Sequence, residues 1–239
     1  MWRALVPVTV AAAMLLLVTS AITAHGTDLR ASPTLGVNQR ITLAQRDIAQ
    51  LTRQADTLRA SISAATGAAA GTDGRIRAAQ AQAAKLAPAA GLTPVDGPAV
   101  TVSLDDAPRS AVDRDLAAGA QPDDLVIHQQ DVQGVVNALW AGGAQAMTIM
   151  GERVVATSAV RCVGNTLLLH GRAFGPPFVV TAVGDPERLL QALAANPDVQ
   201  IFQQYVAAYG LGYRASRAAR VTLPAYNGPL ELTHAKAAA

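Results

Sequence analysis

The sequence predicts an α+β protein in which an N-terminal transmembrane helix and a coiled-coil stalk precede a mixed α/β domain. An uncharged apolar run opens the chain, an apolar heptad pattern comes next, and the remainder alternates β-branched runs with amphipathic helical stretches. The predicted boundaries are 1–24 for the transmembrane anchor, 25–36 for a linker, 37–86 for the coiled-coil stalk, 87–98 for a second linker, 99–226 for the α/β domain and 227–239 for a flexible tail.

The apolar run from Leu5 to Ala24 contains twenty residues and no charge. Such a run is long enough to cross a hydrocarbon core of roughly 30 Å as a helix. A cleaved signal peptide is the alternative, because Arg3 supplies a charged start and Ile22-Thr23-Ala24 offers a small-residue cleavage site. The run is longer than a signal peptide needs, so the anchor is favoured. A lone N-terminal span usually directs the export of the domain behind it, so we expect a single-pass protein of the cell membrane with its C-terminal domain extracytoplasmic.

A heptad of apolar residues begins after the first linker. Its better half consists of Val37, Ile41, Ala44, Ile48, Leu51, Ala55, Leu58, Ile62 and Ala65, and the same register continues to Leu86. Ile at a positions and Leu at d positions favour a parallel dimer, so we expect a homo-oligomer through 37–86. Gly67, Gly71 and Gly74 weaken the second half. The alternatives are one amphipathic helix lying on the C-terminal domain, or a helical hairpin bent at the glycines.

The α/β domain has the order strand, helix, strand, hairpin insertion, strand, helix, strand. Strands are predicted at 99–104, 125–128, 146–150 and 178–183, and further extended segments at 211–216 and 220–225. Helices are predicted from Asp131 to Gly142, from Asp185 to Ala195 and at 201–210. Residues 105–124 are predicted as a polar loop, and a hairpin is predicted to turn at Gly164-Asn165. This order matches a ferredoxin-like (βαββαβ) sandwich with a hairpin insertion, in which two helices cover one face of an antiparallel sheet.

Composition argues against several classes of function. Cys162 is the single cysteine, so an intrachain disulfide framework is excluded. We expect a small buried hydrophobe there, and a disulfide between two chains is the alternative in an exported protein. The net charge of +2 is too small to indicate nucleic-acid binding. The four histidines are widely separated and none has metal-ligand spacing. No cofactor or metal is therefore predicted.

Three motifs resemble a known family. They are NALWAGGAQAMTIMGERV from Asn137, RCVGN from Arg161 and PPFVVTAVGDPERLLQAL from Pro176. Together they resemble the YlxW-like family of bacterial single-pass membrane proteins, domain of unknown function 881. The resemblance covers about residues 35–235 and implies an anchor, a coiled coil and an extracytoplasmic α/β domain, with no established catalytic residues. Family members are often encoded near cell-division and envelope genes, which suggests an envelope or division protein as partner.

No catalytic residue is predicted. Ser110, Ser158 and Ser216 lack the context of a nucleophile elbow, and no phosphate loop with its lysine is present in the sequence. The polar residues of the motifs form a candidate binding surface: Asn137, Glu152, Arg153, Arg161, Asn165 and Asp185.

Two functional classes stay open. The first is a membrane-anchored interaction or scaffold module, and the second is a small-molecule-binding or enzymatic domain, such as a hydrolase, with the stalk as a spacer. An exposed groove lined by several of the six candidate residues would favour the second class. A flat apolar or basic face would favour the first.

Overall fold

The structure is a computed structural model that describes residues 14–15, 33–163 and 165–230. A long helix precedes a mixed α/β domain with antiparallel sheets, which confirms the α+β class and the order of its parts. The predicted anchor lies outside the described residues except for Met14 and Leu15, which are helical. Among the helices that the structure describes, none is both long enough and apolar enough to cross a membrane. The chain divides into two units, Met1–Arg77 and Ala78–Ala239.

Helix α1 (Pro33–Thr72) is 40 residues long and contains Gly67 and Gly71 within its length. Asp73 interrupts the helix assignment, but the backbone N–H of Asp73 still donates to the Ala69 carbonyl at 2.9 Å. Helix α2 (Gly74–Leu86) begins directly afterwards. Four apolar side chains of the predicted heptad stripe are largely exposed: Ile48 at 43%, Leu51 at 63%, Leu58 at 64% and Ile62 at 65%. Helix formation in the stalk region is therefore confirmed, and its apolar stripe is left open to solvent in the single chain.

The α/β domain contains eight strands in two antiparallel sheets. The strands are β1 (Val95–Asp105), β2 (Ala146–Ile149), β3 (Glu152–Arg153), β4 (Val160–Val163), β5 (Thr166–Leu169), β6 (Arg172–Phe174), β7 (Phe178–Val183) and β8 (Gly212–Leu223). The main sheet has the order β3-β2-β7-β1-β8, and every neighbouring pair is antiparallel. The second sheet has the order β4-β5-β6. The central position of β7 agrees with its continuous apolar sequence.

The helices of this domain are α3 (Arg109–Ala117), α4 (Gln129–Ala141), α5 (Pro186–Ala195) and α6 (Pro197–Tyr209), with a 3₁₀ turn at Pro122–Leu125. One core lies between the main sheet and α4, α5 and α6. Its buried members include Val100, Val102 and Leu104 of β1, Met147 and Ile149 of β2, Phe178, Val180 and Ala182 of β7, Val135 and Leu139 of α4, Leu189 and Leu193 of α5, and Val199 and Phe202 of α6. Alternate strand residues thus face three helices, because side chains alternate between the two faces of a sheet.

Local capping explains where the helices begin and end. The backbone N–H of His128 donates to Asp131 Oδ2 at 2.8 Å, so Asp131 closes a capping box at the start of α4 rather than occupying the cap position itself. Gly142 caps its C-terminus. As predicted, Asp185 caps α5, with its Oδ1 accepting from the Glu187 N–H at 2.9 Å and with Pro186 in the first turn.

Two predictions for the domain are wrong. Residues 105–124 are not one loop, since they contain α3 and the start of the 3₁₀ turn. Residues 125–128 are not a strand, although Leu125 and Ile127 are buried. The Ile127 N–H donates to Asp106 Oδ1 at 2.8 Å, and the Leu125 carbonyl accepts from the Ala107 N–H at 2.9 Å. The backbone of this apolar run is thus hydrogen-bonded to the segment that follows β1, and it joins neither of the two sheets.

The insertion between β2 and β7 is larger than a hairpin. Strands β4 and β5 pair antiparallel, as predicted, with Asn165 in the turn between them, and β6 adds a third strand through the turn at His170-Gly171. Gly164, the other residue of the predicted turn, lies outside the described residues. His170 adopts a left-handed conformation with φ 51°, which is uncommon for a residue other than glycine. This turn brings the His170 side chain close to Glu152, one of the six predicted site residues.

Candidate functional site

The six predicted site residues lie on several different elements. Asn137 is exposed on α4, Glu152 and Arg153 form β3, Arg161 is exposed on β4, Asn165 lies in the turn before β5, and Asp185 caps α5. Within the described part of the chain, no hydrogen bond or ion pair joins one of the six to another. A single binding surface formed by all six stays a prediction.

Arg153 of β3 is a buried cation that hydrogen-bonds to the backbone. It is 5% exposed, and its Nη1 donates to the carbonyls of Thr93 at 3.2 Å and Pro224 at 2.9 Å. These two acceptors lie 60 and 71 residues away along the chain, so the guanidinium joins the segment before β1 to the segment after β8. Its Nε is buried and has no hydrogen-bond partner among the described residues. Burial lowers the pKa of Arg153.

Glu152 points the opposite way and belongs to a polar cluster that the sequence did not reveal. Its carboxylate pairs with Arg172 of β6 and lies 4.0 Å from Nδ1 of His170. His170 Nε2 is 2.8 Å from the Ser158 hydroxyl, and that hydroxyl accepts from the Val155 N–H at 3.0 Å. The direction of this contact depends on the tautomer of His170: with the proton on Nδ1, Nε2 accepts from the Ser158 hydroxyl, and with the proton on Nε2 the hydroxyl accepts instead. Burial lowers the pKa of His170, and the Glu152 carboxylate partly offsets that shift.

In space, the His170 ring lies between the Ser158 hydroxyl and the Glu152 carboxylate, which is the arrangement of a hydrolytic triad. A triad needs the hydroxyl at one ring nitrogen and a carboxylate at the other. The first contact has hydrogen-bond length, whereas the 4.0 Å between His170 and Glu152 exceeds it. The His170 ring also packs edge-to-face on Tyr226 at a centroid distance of 5.2 Å. The cluster therefore holds the insertion against the C-terminal segment, and it has partial triad geometry.

A groove runs along α4 and α6 on another part of the domain. It consists of two adjoining cavities of about 260 and 320 Å³, which share Gln130, Asp131 and Ile201 in their walls. Four carboxylates line the groove: Asp123, Asp124, Asp131 and Asp198. Among the described residues that line it there is no Lys or Arg. We call it the acidic groove. Asn137 is the one candidate site residue in its walls, so the groove is not the site that the sequence predicted.

Close packing of the two helices sets the floor of the acidic groove. A Cβ placed on Gly134 of α4 would lie 2.9 Å from the Asp198 Cβ of α6, closer than real Cβ contacts. Glycine at this position therefore allows α6 to approach α4 and brings Asp198 beside Asp131. No sequence motif marked this pairing, because the two helices are separated by the insertion.

Cys162 lies on β4 and is partly buried. Its backbone N–H donates to Oε1 of Gln129 at 3.2 Å, which ties the insertion to the start of α4. Burial raises the pKa of the Cys162 thiol. The described residues contain no group of three or more His, Cys, Asp or Glu side chains that could hold a metal ion.

The model of the bacterial family of unknown function DUF881 matches residues 82–236, which include the whole sheet, the insertion and the acidic groove. The chain belongs to the DUF881 family. The resemblance read from the three motifs is thereby confirmed.

The chain is also similar in sequence to proteins of the UPF0749 group. The chain is 29% identical over 144 residues to the UPF0749 protein Rv1823 of Mycobacterium tuberculosis, a match that covers 59% of this chain and 46% of the relative. It is 32% identical over 99 residues to the UPF0749 protein YlxW of Bacillus subtilis, which covers 41% of this chain and 40% of that protein. The chain thus spans less than half the length of these relatives. A crystal structure of an uncharacterized conserved protein from Mycobacterium tuberculosis aligns with a TM-score of 0.48 and 23% identity, over 66% of this chain and 99% of that one.

Proposed function

We propose that this DUF881 protein is a membrane-anchored interaction or scaffold module of the cell envelope. In this proposal residues 5–24 anchor the chain, residues 37–86 pair copies as a coiled coil, and an extracytoplasmic ferredoxin-like domain recognises an envelope or division protein. The order β2-β7-β1-β8, antiparallel throughout, supports the ferredoxin-like assignment. A split βαβ fold places the first and third of its four strands at the centre of the sheet, and here those two strands are β1 and β7.

The exposed stripe on α1 carries the proposal. Together with Ala55, the large residues Ile48, Leu51, Leu58 and Ile62 follow alternating steps of three and four residues. These four large residues are 43–65% exposed in the single chain. A helix of this length exposes one continuous apolar face to water unless a second helix covers it. A parallel copy offers the same stripe at the same heights and is therefore the simplest partner.

Cysteine cross-linking in the membrane tests this pairing. Leu51→Cys in a Cys162→Ser background places one thiol on the stripe of the full chain, and Arg53→Cys places one on the opposite face of the same turn. We expect a short bismaleimide to give a covalent dimer with Leu51→Cys and little with Arg53→Cys. Equal cross-linking of the two variants, or none with either, would contradict the parallel coiled coil.

The Arg53→Cys variant also tests the side of the membrane on which the domain lies. A membrane-impermeant maleimide added to intact cells labels this thiol only if α1 is extracytoplasmic. Labelling that appears only after the cells are broken would place the stalk in the cytoplasm and would remove the proposed location.

A hydrolase is the second candidate function, favoured by the 2.8 Å contact between Ser158 and His170. In that reaction Ser158 Oγ attacks an ester carbonyl while His170 Nε2 accepts the hydroxyl proton. The ester C–O bond then breaks, the leaving alcohol takes the proton from His170, and water hydrolyses the acyl-serine to release the acid and restore Ser158. A fluorophosphonate probe forms a covalent bond with an activated serine, so labelling that is lost in Ser158→Ala and kept in Ser216→Ala would favour this candidate. Equal labelling of both variants and the wild type would eliminate it.

A further inference from the structure

We infer that the acidic groove binds a basic amphipathic helix of a partner protein. This inference rests on the proposal that the α/β domain is an interaction module, and it gives the chemistry of the partner. It depends on the walls of the groove alone and needs no assumption about how the stalk assembles.

The charge of the groove selects a cationic ligand. Four carboxylates line it, and two helices begin beside it, α4 at Gln129 and α6 at Pro197. Each helix N-terminus contributes only about half a positive charge, so four ionised carboxylates leave the groove at a net charge of about −3. An acidic or neutral helix would meet this charge without compensation, whereas lysine or arginine side chains would neutralise it.

Two of the four carboxylates are free to bind such a ligand. Asp124 Oδ2 accepts from the Gln121 N–H at 2.9 Å and Asp131 Oδ2 accepts from the His128 N–H at 2.8 Å, so both are committed to capping. The Asp123 and Asp198 side chains are exposed and have no hydrogen bond or ion pair within residues 33–163 and 165–230. Asp123 and Asp198 lie in the two different cavities of the groove, so together they could receive two cations separated along a ligand.

Exposed apolar side chains line the same groove. Ile201 and Tyr205 are 54% and 41% exposed, and they stand one helical turn apart on the same face of α6. A ligand made only of charges would leave this apolar surface in water. A helix that alternates apolar and basic side chains covers it and satisfies the carboxylates at once, which is the helix-in-groove mode of recognition.

A synthetic peptide tests the inference directly. The probe is a fluorescein-labelled helical peptide with leucine on one face and lysine on the other, and its control replaces every lysine by glutamate. Both are titrated by fluorescence anisotropy against the full chain in phosphatidylcholine nanodiscs, with empty nanodiscs measured in parallel. We expect saturable binding of the lysine peptide alone, weakened by raising the salt concentration because added ions screen exposed charges.

Substitutions in the chain locate the binding site. We expect Asp123→Lys with Asp198→Lys to weaken binding by at least about tenfold, because each reversal turns an attraction into a repulsion. Asp113→Lys on α3 makes the same type of change to an exposed aspartate outside the groove and should leave binding unchanged. Ile201→Ser removes the apolar contact without touching the charge, and we expect it to weaken binding by a factor of about three or more.

Several results would overturn the inference. Equal affinity for the glutamate peptide would show that charge does not select the ligand. Equal affinity of the double variant and the wild type, or an equal loss in Asp113→Lys, would place binding outside the groove. Failure of the stalk to cross-link, with peptide binding intact, would remove the coiled-coil proposal and leave this one standing, so the two can fail separately.

Discussion

Truncating two leucines of the exposed stripe should dissociate the protein without unfolding it. Leu51 and Leu58 are 63% and 64% exposed in the single chain, so nearly two thirds of each side chain remains to be buried by a partner. Leu→Ala removes three carbon atoms worth about 0.8 kcal/mol each on full burial, so each position loses about 1.5 kcal/mol of association free energy. Two positions in each of two copies lose about 6 kcal/mol, which raises the Kd of the dimer by about four powers of ten.

Light scattering on the full chain in detergent measures this change as protein mass across a concentration series. The double variant Leu51→Ala with Leu58→Ala should be monomeric where the wild type is dimeric. Circular dichroism should show the same helix content in both, because alanine has at least the helix propensity of leucine. Leu43→Ala is the matched control, since Leu43 is also 55% exposed but lies off the stripe.

Three results would refute the reasoning. The stripe is not the interface if the double variant and the wild type dissociate at the same concentration. It is also not the interface if Leu43→Ala shifts the dissociation as far as the double variant does. A wild-type chain that is monomeric at every concentration would remove the coiled coil altogether.

Three further predictions concern the α/β domain, each measured by urea unfolding. Asp185→Ala should lower the free energy of unfolding by about 1 kcal/mol through the loss of the α5 cap, while Asp185→Asn keeps the cap and should change it little. Arg153→Met should lower it by about 2 kcal/mol, because two carbonyls lose a charged donor; an unchanged value would show that the bonds only offset the cost of burying the charge. Burial lowers the pKa of His170 in the folded state, so its contribution is present above the unfolded value of about 6.5 and is lost as pH falls below it. His170→Asn suits the left-handed turn and should flatten that pH dependence, and an equal slope in the variant would assign it to another group.

The parts of the fold that were predicted correctly have local causes. Strand β7 is a continuous run of β-branched and apolar residues, and the cap at Asp185 with Pro186 is a signal of two adjacent residues. The stretch containing α3 gave no such signal. Its inward positions include Ala107 and Ala111, which are buried but small, so the helical period is weak and the charged residues between them dominate the pattern.

The same distinction explains the wrong strand at 125–128. An apolar run shows that residues are buried, and Leu125 and Ile127 are indeed 3% and 1% exposed. Whether buried backbone joins a sheet depends on where its donors and acceptors find partners. Here the partners are Asp106 and Ala107, about 20 residues back along the chain, and alternation of side chains carries no information about that choice.

The candidate site was predicted as a set of residues but not as an arrangement. Glu152 and Arg153 are neighbours in sequence, yet a strand points them to opposite sides, so one reaches Arg172 and His170 while the other reaches backbone carbonyls near both ends of the domain. Asp198 was missed because an aspartate in a first helical turn is an ordinary stabilising residue.

What distinguishes Asp198 is its neighbour on α4. Gly134 lets the two helices approach until their carboxylates line one groove. The sequence alone does not show that Gly134 and Asp198 are in contact, because the contact forms only when the chain folds. A bulkier residue at position 134 would force α6 away from α4 and separate Asp198 from Asp131. Recognition of a basic helix by this face therefore depends on a residue with no side chain of its own.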